Sequence, residues 1–277
     1  MFLAIDIGGT KTLLALFSHC GLCLKRLKFP TEKDPSAYIK ILSKNLQTLL
    51  PKESCRRHVK AITVAIPGVV KIEPDSCSFK FGNLDWQKID LLTPIKNLFN
   101  CKIFFANDAN LATLYESTRA GRKSGKSVYL TFSTGIGGGI AQDGKLLAKA
   151  SDAFEPGHVK YTYQNQTEEW EDLASAKALI GAYHVNTLQN LVLDDIKLED
   201  LLARLSLGLI DIVDHESPAT LIIGGPLAFL FQRFKRPLLA KLHADTADKL
   251  LKLKKARRPT DSTIYGAYLY AKQNYHK

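Results

Sequence analysis

The chain lacks any hydrophobic run long enough to cross a bilayer. Its longest apolar stretch, Leu221 to Phe231, is interrupted by Gly224, Gly225 and Pro226, whereas a spanning helix needs about 20 apolar residues. A secretory leader is not expected, because Asp6 breaks the first apolar residues and no basic segment precedes them. Cysteine is sparse and scattered, at Cys20, Cys23, Cys55, Cys77 and Cys101, a pattern that suits free thiols in a reducing cytosol. Cys20 and Cys23 have the spacing of half a zinc site. No second pair or histidine cluster accompanies them, so a turn with incidental thiols is expected. No segment is poor enough in apolar residues to read as disordered, and neither low-complexity linkers nor solenoid repeats occur. These absences leave a soluble, cytoplasmic, globular protein.

What is present fits two domains. At 277 residues, 45% of them hydrophobic, the chain exceeds what one core usually serves. The net charge of +11 would favour polyanions, or only the phosphates of a nucleotide and a product. Its densest basic cluster, Lys249 to Arg258, has Leu250, Leu251 and Leu253 interleaved. That cluster reads as the solvated side of an amphipathic helix, and a nucleic-acid role is not expected.

Both halves begin alike. Phe2–Ile7, Leu13–Ser18 and Cys23–Phe29 read as a strand meander with glycine turns, followed by a helix over 35–50. Val59–Ile66 and Lys102–Ala106 read as strands, with a helix over 89–99 between them and another from Asn107-Asp108 to about Ala120. Ser127–Phe132 restarts the pattern, with a return strand to Ile140 and a hairpin turn at Gln142–Lys145. A mostly helical stretch spans 168–216, and a strand over 220–223 ends in Gly224-Gly225-Pro226. Two related α/β lobes follow from this repetition.

Three constellations carry chemistry. Gly8-Gly9-Thr10-Lys11 and Thr134-Gly135-Ile136-Gly137-Gly138 each close an apolar strand. Such turns bring backbone close to a ligand and can cradle phosphate, and Asp6 beside the first suits a metal that partners phosphate. Neither a Walker loop nor a dinucleotide fingerprint is present. Asn107-Asp108 stands at a strand-to-helix corner, where a carboxylate could take a proton from an attacking hydroxyl. Capping needs one such residue, so two in succession leave one spare. Glu155-Pro156-Gly157-His158, with Glu171 beyond it, could grip neighbouring hydroxyls of a polyol.

Asp6-Ile-Gly-Gly-Thr-Lys11, Asn107-Asp108-Ala-Asn110, Thr134-Gly-Ile-Gly-Gly-Gly139 and Glu155-x-Gly-His158 occur in an order that resembles ROK-family sugar kinases. Ile66–Val70, Gly82–Trp86, Ile223-Gly224-Gly225 and Ile264–Ala267 also look like family segments, so the resemblance spans nearly the whole chain. It implies an α/β, two-lobed, actin-like (ribonuclease H-like) ATPase fold with an interlobe cleft. The smaller lobe would be 1–112 rejoined by 261–277, and the larger 113–260. It also implies glucokinase-like transfer of a phosphoryl group from ATP to a hexose hydroxyl, foremost glucose to glucose 6-phosphate, with Mg²⁺. Asp108 would be the general base and Asp6 would hold Mg²⁺ through water. Gly8, Gly9, Thr10, Lys11, Thr134, Gly135, Gly137, Gly224 and Gly225 would contact ATP. Gly68, Asn83, Asn107, Asp108, Glu155, His158 and Glu171 would bind the sugar. An N-acetylhexosamine (N-acetylmannosamine or N-acetylglucosamine) or fructose are the alternative acceptors, polyphosphate an alternative donor, and a homodimer stays open.

Two departures qualify the resemblance. Family members place a cysteine-rich zinc site just after Glu-x-Gly-His, whereas Lys160 to Trp170 holds no cysteine. A zinc-free variant is expected, its substrate loop held by packing of Tyr161, Tyr163 and Trp170. Repressors of the family carry a helix-turn-helix module ahead of the kinase-like region. None is expected here, which sets aside a DNA-binding repressor; a sugar-sensing regulator without a DNA-binding module stays the non-enzyme alternative, disfavoured because Asp108 and both phosphate turns are present.

Overall fold

The computed structural model describes residues 1–72, 77–80, 86, 89–118, 125–147, 154–247 and 250–276. The chain divides into two compact units, the first comprising Met1–Tyr115 with Thr263–Lys277 and the second Glu116–Ala148 with Phe154–Ser262.

The first unit begins with β1 (Phe2–Ile7), β2 (Lys11–Phe17), β3 (Cys23–Pro30) and α1 (Pro35–Leu49). Asp34 caps α1 by accepting the Ala37 N–H at 2.7 Å, with Pro35 in the first turn. Tyr38, Leu42, Leu46 and Leu49 recur at helical spacing and bury one face. Next come α2 (Glu53–Arg56), β4 (Ala61–Ile66), β5 (Val69–Ile72), β6 (Cys77–Lys80), α3 (Leu92–Lys96), β7 (Lys102–Asn107) and α4 (Asp108–Thr118). Helix α3 is shorter than expected. Asp90 accepts the N–H groups of Leu92 and Thr93, which sets the start of the helix there. The sheet order is β3-β2-β1-β4-β7, the first three strands antiparallel and the last three parallel. In register, Asp6 pairs with Ala65 and Ala65 with Ala106. The ends of β1, β4 and β7 are therefore level, and Asp6, Gly68 and Asp108 gather there. This is the edge where α/β sheets collect ligands.

The second unit holds β8 (Lys126–Phe132), β9 (Ile136–Gln142), β10 (Lys145–Leu146), β11 (Lys160–Tyr163), β12 (Gln166–Glu169), α5 (Trp170–Ala174), α6 (Ala176–Ala182), α7 (Asp195–Glu216), β13 (Thr220–Gly224), α8 (Phe231–Asp245) and β14 (Lys252–Lys255). Its sheet order, β10-β9-β8-β13-β14, repeats the first sheet's sequence of strand senses, antiparallel then parallel. The closing helix α9 (Ser262–Asn274) carries the chain back to the first unit. Each unit has its own hydrophobic core.

A further expectation is corrected. The basic cluster is an edge strand, β14, rather than an amphipathic helix. Leu251 and Leu253 are buried at alternate positions while Lys252 and Lys254 face outward, which is the period of a strand, and pairing with β13 fixes it. Lysines on an exposed edge also discourage pairing with another chain. The stretch over 168–216 is mostly helical as expected, divided into the separate helices α5, α6 and α7. Strand β12 ends at Glu169, Ser175 caps α6 through the Ala178 N–H, and α7 starts only after its own cap at Asp194. Among the described residues, no helix is long and apolar enough to cross a membrane.

Candidate active site

In the first unit, Gly8–Lys11 makes the turn from β1 to β2. The Gly8 N–H donates to the Lys11 carbonyl at 3.0 Å, so this amide serves the turn itself. Gly9, Thr10 and Lys11 are exposed at the tip, and Asp6 is half-buried at its base. The tip is anchored from behind. The Thr31 N–H donates to the Thr10 carbonyl, and buried Thr12 shares hydrogen bonds with the hydroxyls of Thr31 and Tyr38 at 2.9 and 3.0 Å.

At the β7–α4 corner the two polar residues divide their work. Buried Asn107 caps the helix, its Oδ1 accepting the Asn110 N–H at 2.9 Å, and its amide donates to the Gly68 carbonyl at 2.9 Å. Asp108 is half-buried in the first helical turn and accepts the Ala109 N–H at 2.8 Å. Asn107 thus binds the β4 turn to this corner, where Gly68 sits at a φ of 82° that only glycine adopts easily. Asn83 lies outside the described residues.

In the second unit, the other glycine turn meets the Glu155–His158 segment. Glu171 Oε2 accepts the Ile136 N–H at 3.2 Å. A Cβ at Gly135 would strike that carboxylate, and one at Gly157 would strike the Ile136 carbonyl. Gly157 is required by this approach to backbone, whereas at Gly135 the obstacle is the end of a side chain that can turn aside. Thr134 is exposed at the turn, while Gly137 lies within β9 opposite Thr131. Burial raises the Glu155 carboxyl pKa; nearby His158 opposes the rise and Glu171 adds to it. His158 forms an ion pair with Glu169, Nδ1 to Oε2 at 2.8 Å, and this contact chiefly raises the imidazole pKa. The ligand atoms of His158, Glu169 and Glu171 lie within 4.8 Å of one another.

Gly224 and Gly225 end β13. The Tyr129 hydroxyl would collide with a Cβ at Gly224, and Gly225 has a φ of 71° against the Phe132 backbone. Local packing alone demands these glycines.

Sequence reasoning proposed Tyr161, Tyr163 and Trp170 as packing residues. Trp170 is fully buried, its indole N–H donating to the Arg204 carbonyl at 2.9 Å. The tyrosines pack against the second core too and also bond through their hydroxyls, Tyr161 to Asp211 at 3.0 Å and Tyr163 to Asp200 at 2.5 Å. Asp200 also accepts from Tyr183 and Arg204, each at 2.7 Å. Burial alone would raise the Asp200 pKa, but the bonds from Arg204, Tyr163 and Tyr183 outweigh it and hold the value low. Glu169, Tyr183, Asp200, Arg204 and Asp211 were missed. The acidic run Glu168-Glu169-Trp170-Glu171 was the one visible signal.

The fold is a mixed α/β architecture whose two five-stranded sheets repeat one order of strand senses. A ROK family model matches residues 2–274, and the chain belongs to the ROK family. An uncharacterized protein of Clostridium perfringens is 26% identical over 303 residues, covering 100% of this chain and 99% of that protein. The chain spans about half the length of the curated kinases it matches; one, the N-acetylmannosamine kinase of Vibrio cholerae, is 30% identical over 146 residues, 52% of this chain and 48% of the kinase. A ROK family glucokinase from Streptomyces griseus, solved with glucose and AMPPNP, aligns with a TM-score of 0.74 at 19% identity, covering 99% of each chain. A ROK family transcriptional regulator homologous to the MLC protein of E. coli aligns with a TM-score of 0.81 at 19% identity, covering 99% of this chain and 78% of that one. The two-lobed fold is thus common to kinases and regulators, and function has to be argued from the residues.

Proposed function

We propose that this protein is an ATP-dependent sugar kinase that phosphorylates a hexose hydroxyl, foremost glucose to glucose 6-phosphate. The observation that carries the reading is the level ending of β1, β4 and β7, which gathers Asp6, Gly68 and Asp108 at one edge of the first sheet. The second unit supports it, because its glycine turn is bonded directly to Glu171 beside Glu155 and His158.

Asp108 accepts the proton of the sugar hydroxyl as that oxygen attacks the γ-phosphorus, and the bond to the bridging oxygen of ADP breaks. Glu155, His158 and Glu171 bind ring hydroxyls, and Asn107 holds the Asp108 corner to Gly68. Gly9, Thr10, Lys11, Thr134 and Gly135 face phosphates, with Gly8 and Gly137 shaping their turns and Gly224 and Gly225 beside the adenosine. The half-buried carboxylate of Asp6 at the foot of an exposed glycine turn fits a cation such as Mg²⁺, which would neutralise phosphate charge when bound with ATP. Reaction in the cytoplasm matches the expected free thiols.

The Vibrio relative favours an N-acetylhexosamine as the second candidate acceptor. A coupled assay of ADP release over glucose, mannose, fructose, N-acetylmannosamine and N-acetylglucosamine tests both. Preference for glucose supports the first reading, preference for an N-acetylhexosamine replaces the acceptor, and no turnover with any sugar refutes the kinase.

A further inference from the structure

We propose that a tyrosine–aspartate lock on α7 fixes the β11–β12 hairpin and so sets where His158 and Glu171 meet the sugar. Tyr161, Tyr163, Asp200 and Asp211 are then positioning residues. The inference rests on the sugar-kinase reading for its substrate, but its mechanical part stands on the hairpin alone.

The hairpin pairs Lys160 with Glu169 and Tyr163 with Gln166 across a two-residue turn. Gln164 and Asn165 there have φ of 49° and 64°, the left-handed pair that suits such turns. Two four-residue strands are marginal on their own, so something must hold them. His158 stands two residues before β11 and Glu171 two residues after β12. The feet are joined by the Trp170 N–H donating to the Val159 carbonyl at 2.8 Å and by the His158–Glu169 pair.

The anchor comes from one side of α7. Asp200, Arg204, Gly208 and Asp211 recur at intervals of three or four residues and so share a face. Tyr161 and Tyr163, two apart on β11, project to the same side of the hairpin and reach Asp211 and Asp200. The Arg204 guanidinium lies 4.8 Å from the centroid of the Tyr163 ring and bonds the Asp200 carboxylate, completing its partners. Between them Trp170 occupies the space left by Gly208, where a Cβ would collide with the indole. The lock therefore grips the hairpin at both tyrosines and at its foot.

Asp200→Ala and the milder Tyr163→Phe test this by steady-state kinetics and by amide hydrogen exchange. Asp200→Ala should raise KM for the sugar about tenfold and Tyr163→Phe about threefold, with kcat and KM for ATP within about twofold of wild type. Exchange should accelerate over 160–169 while β8 and β13 stay protected. Unchanged sugar KM with unchanged hairpin exchange would overturn the lock. So would a parallel rise in both KM values, which marks general loosening. Stoichiometric zinc in the purified protein, whose chelation releases the hairpin, would overturn it as well. Should Asp200→Ala fail to fold, Tyr163→Phe decides by the same readouts. If the wild type phosphorylates no sugar, the kinase reading fails and the exchange result alone judges the lock.

Discussion

Gly266→Ala should disable the protein through one atom. Gly266 lies in α9, and a Cβ there would sit 1.8 Å from the carbonyl oxygen of Leu111 in α4. Real Cβ atoms keep at least 3.0 Å, so the helices must part by about 1.2 Å, the difference between these two distances. The obstacle is backbone, which no rotamer change can move. Nor can α9 slide easily, because Tyr268 stacks on Phe17 at 4.9 Å and Tyr265 lies 5.3 Å from Tyr115, ring to ring. Overpacking of this kind costs about 1–3 kcal/mol, and the helix propensity gained over glycine returns at most about 1 kcal/mol. A net loss near 2 kcal/mol follows from these two estimates, since the clash is at the severe end. Asp108 stands one turn before Leu111 on the same helix, and a displacement of about 1 Å at a catalytic group lowers turnover roughly a hundredfold. Urea unfolding gives the stability change and coupled ADP release the turnover. Wild-type stability together with wild-type turnover would refute the reasoning.

Gly181→Ala is the matching control: nothing lies within 4 Å of a Cβ there in α6, so stability should rise by about 0.4–1 kcal/mol in the same urea measurement. Glu116→Ala should cost roughly 2–4 kcal/mol by thermal unfolding, because the buried carboxylate accepts the N–H groups of Arg257 and Arg258 and the Ser262 hydroxyl; its removal strips both N–H groups of this acceptor, while the hydroxyl keeps the Arg258 carbonyl. Asp200→Asn should change the pH dependence of stability. The folded Asp200 pKa is depressed, so its contribution is present above the ordinary carboxylate value of 3.8 and fades as pH falls through the folded value. The wild type should therefore exceed the variant in melting temperature at neutral pH, and this advantage should shrink in acid.

The fold was legible because apolar strands and glycine turns recur at the same places in both halves, and the sheets repeat the same order of senses. The β14 segment misled because its interleaved leucines and lysines fit a helix as well as a strand until β13 supplied a pairing partner. At the β7–α4 corner, the sequence correctly held two polar residues where one cap would serve, and the structure assigns the cap to Asn107. The hairpin anchor was half visible. Tyr161 and Tyr163 showed as candidates, but Asp200 and Asp211 lie some forty to fifty residues further on, and no local pattern announces a contact of that separation. Gly224 and Gly225 show the converse limit, since packing asks for glycine there whatever lies beside them, and the residue type alone does not mark a ligand.

The most direct measurement of the central claim is turnover by Asp108→Asn with the sugar that the wild type prefers, beside calorimetric binding of that sugar. Asp108→Asn should lose at least about a hundredfold in kcat, in keeping with the ~10²–10⁴-fold usual for a general base, with the sugar still bound and thermal unfolding cooperative. Turnover close to wild type would contradict it.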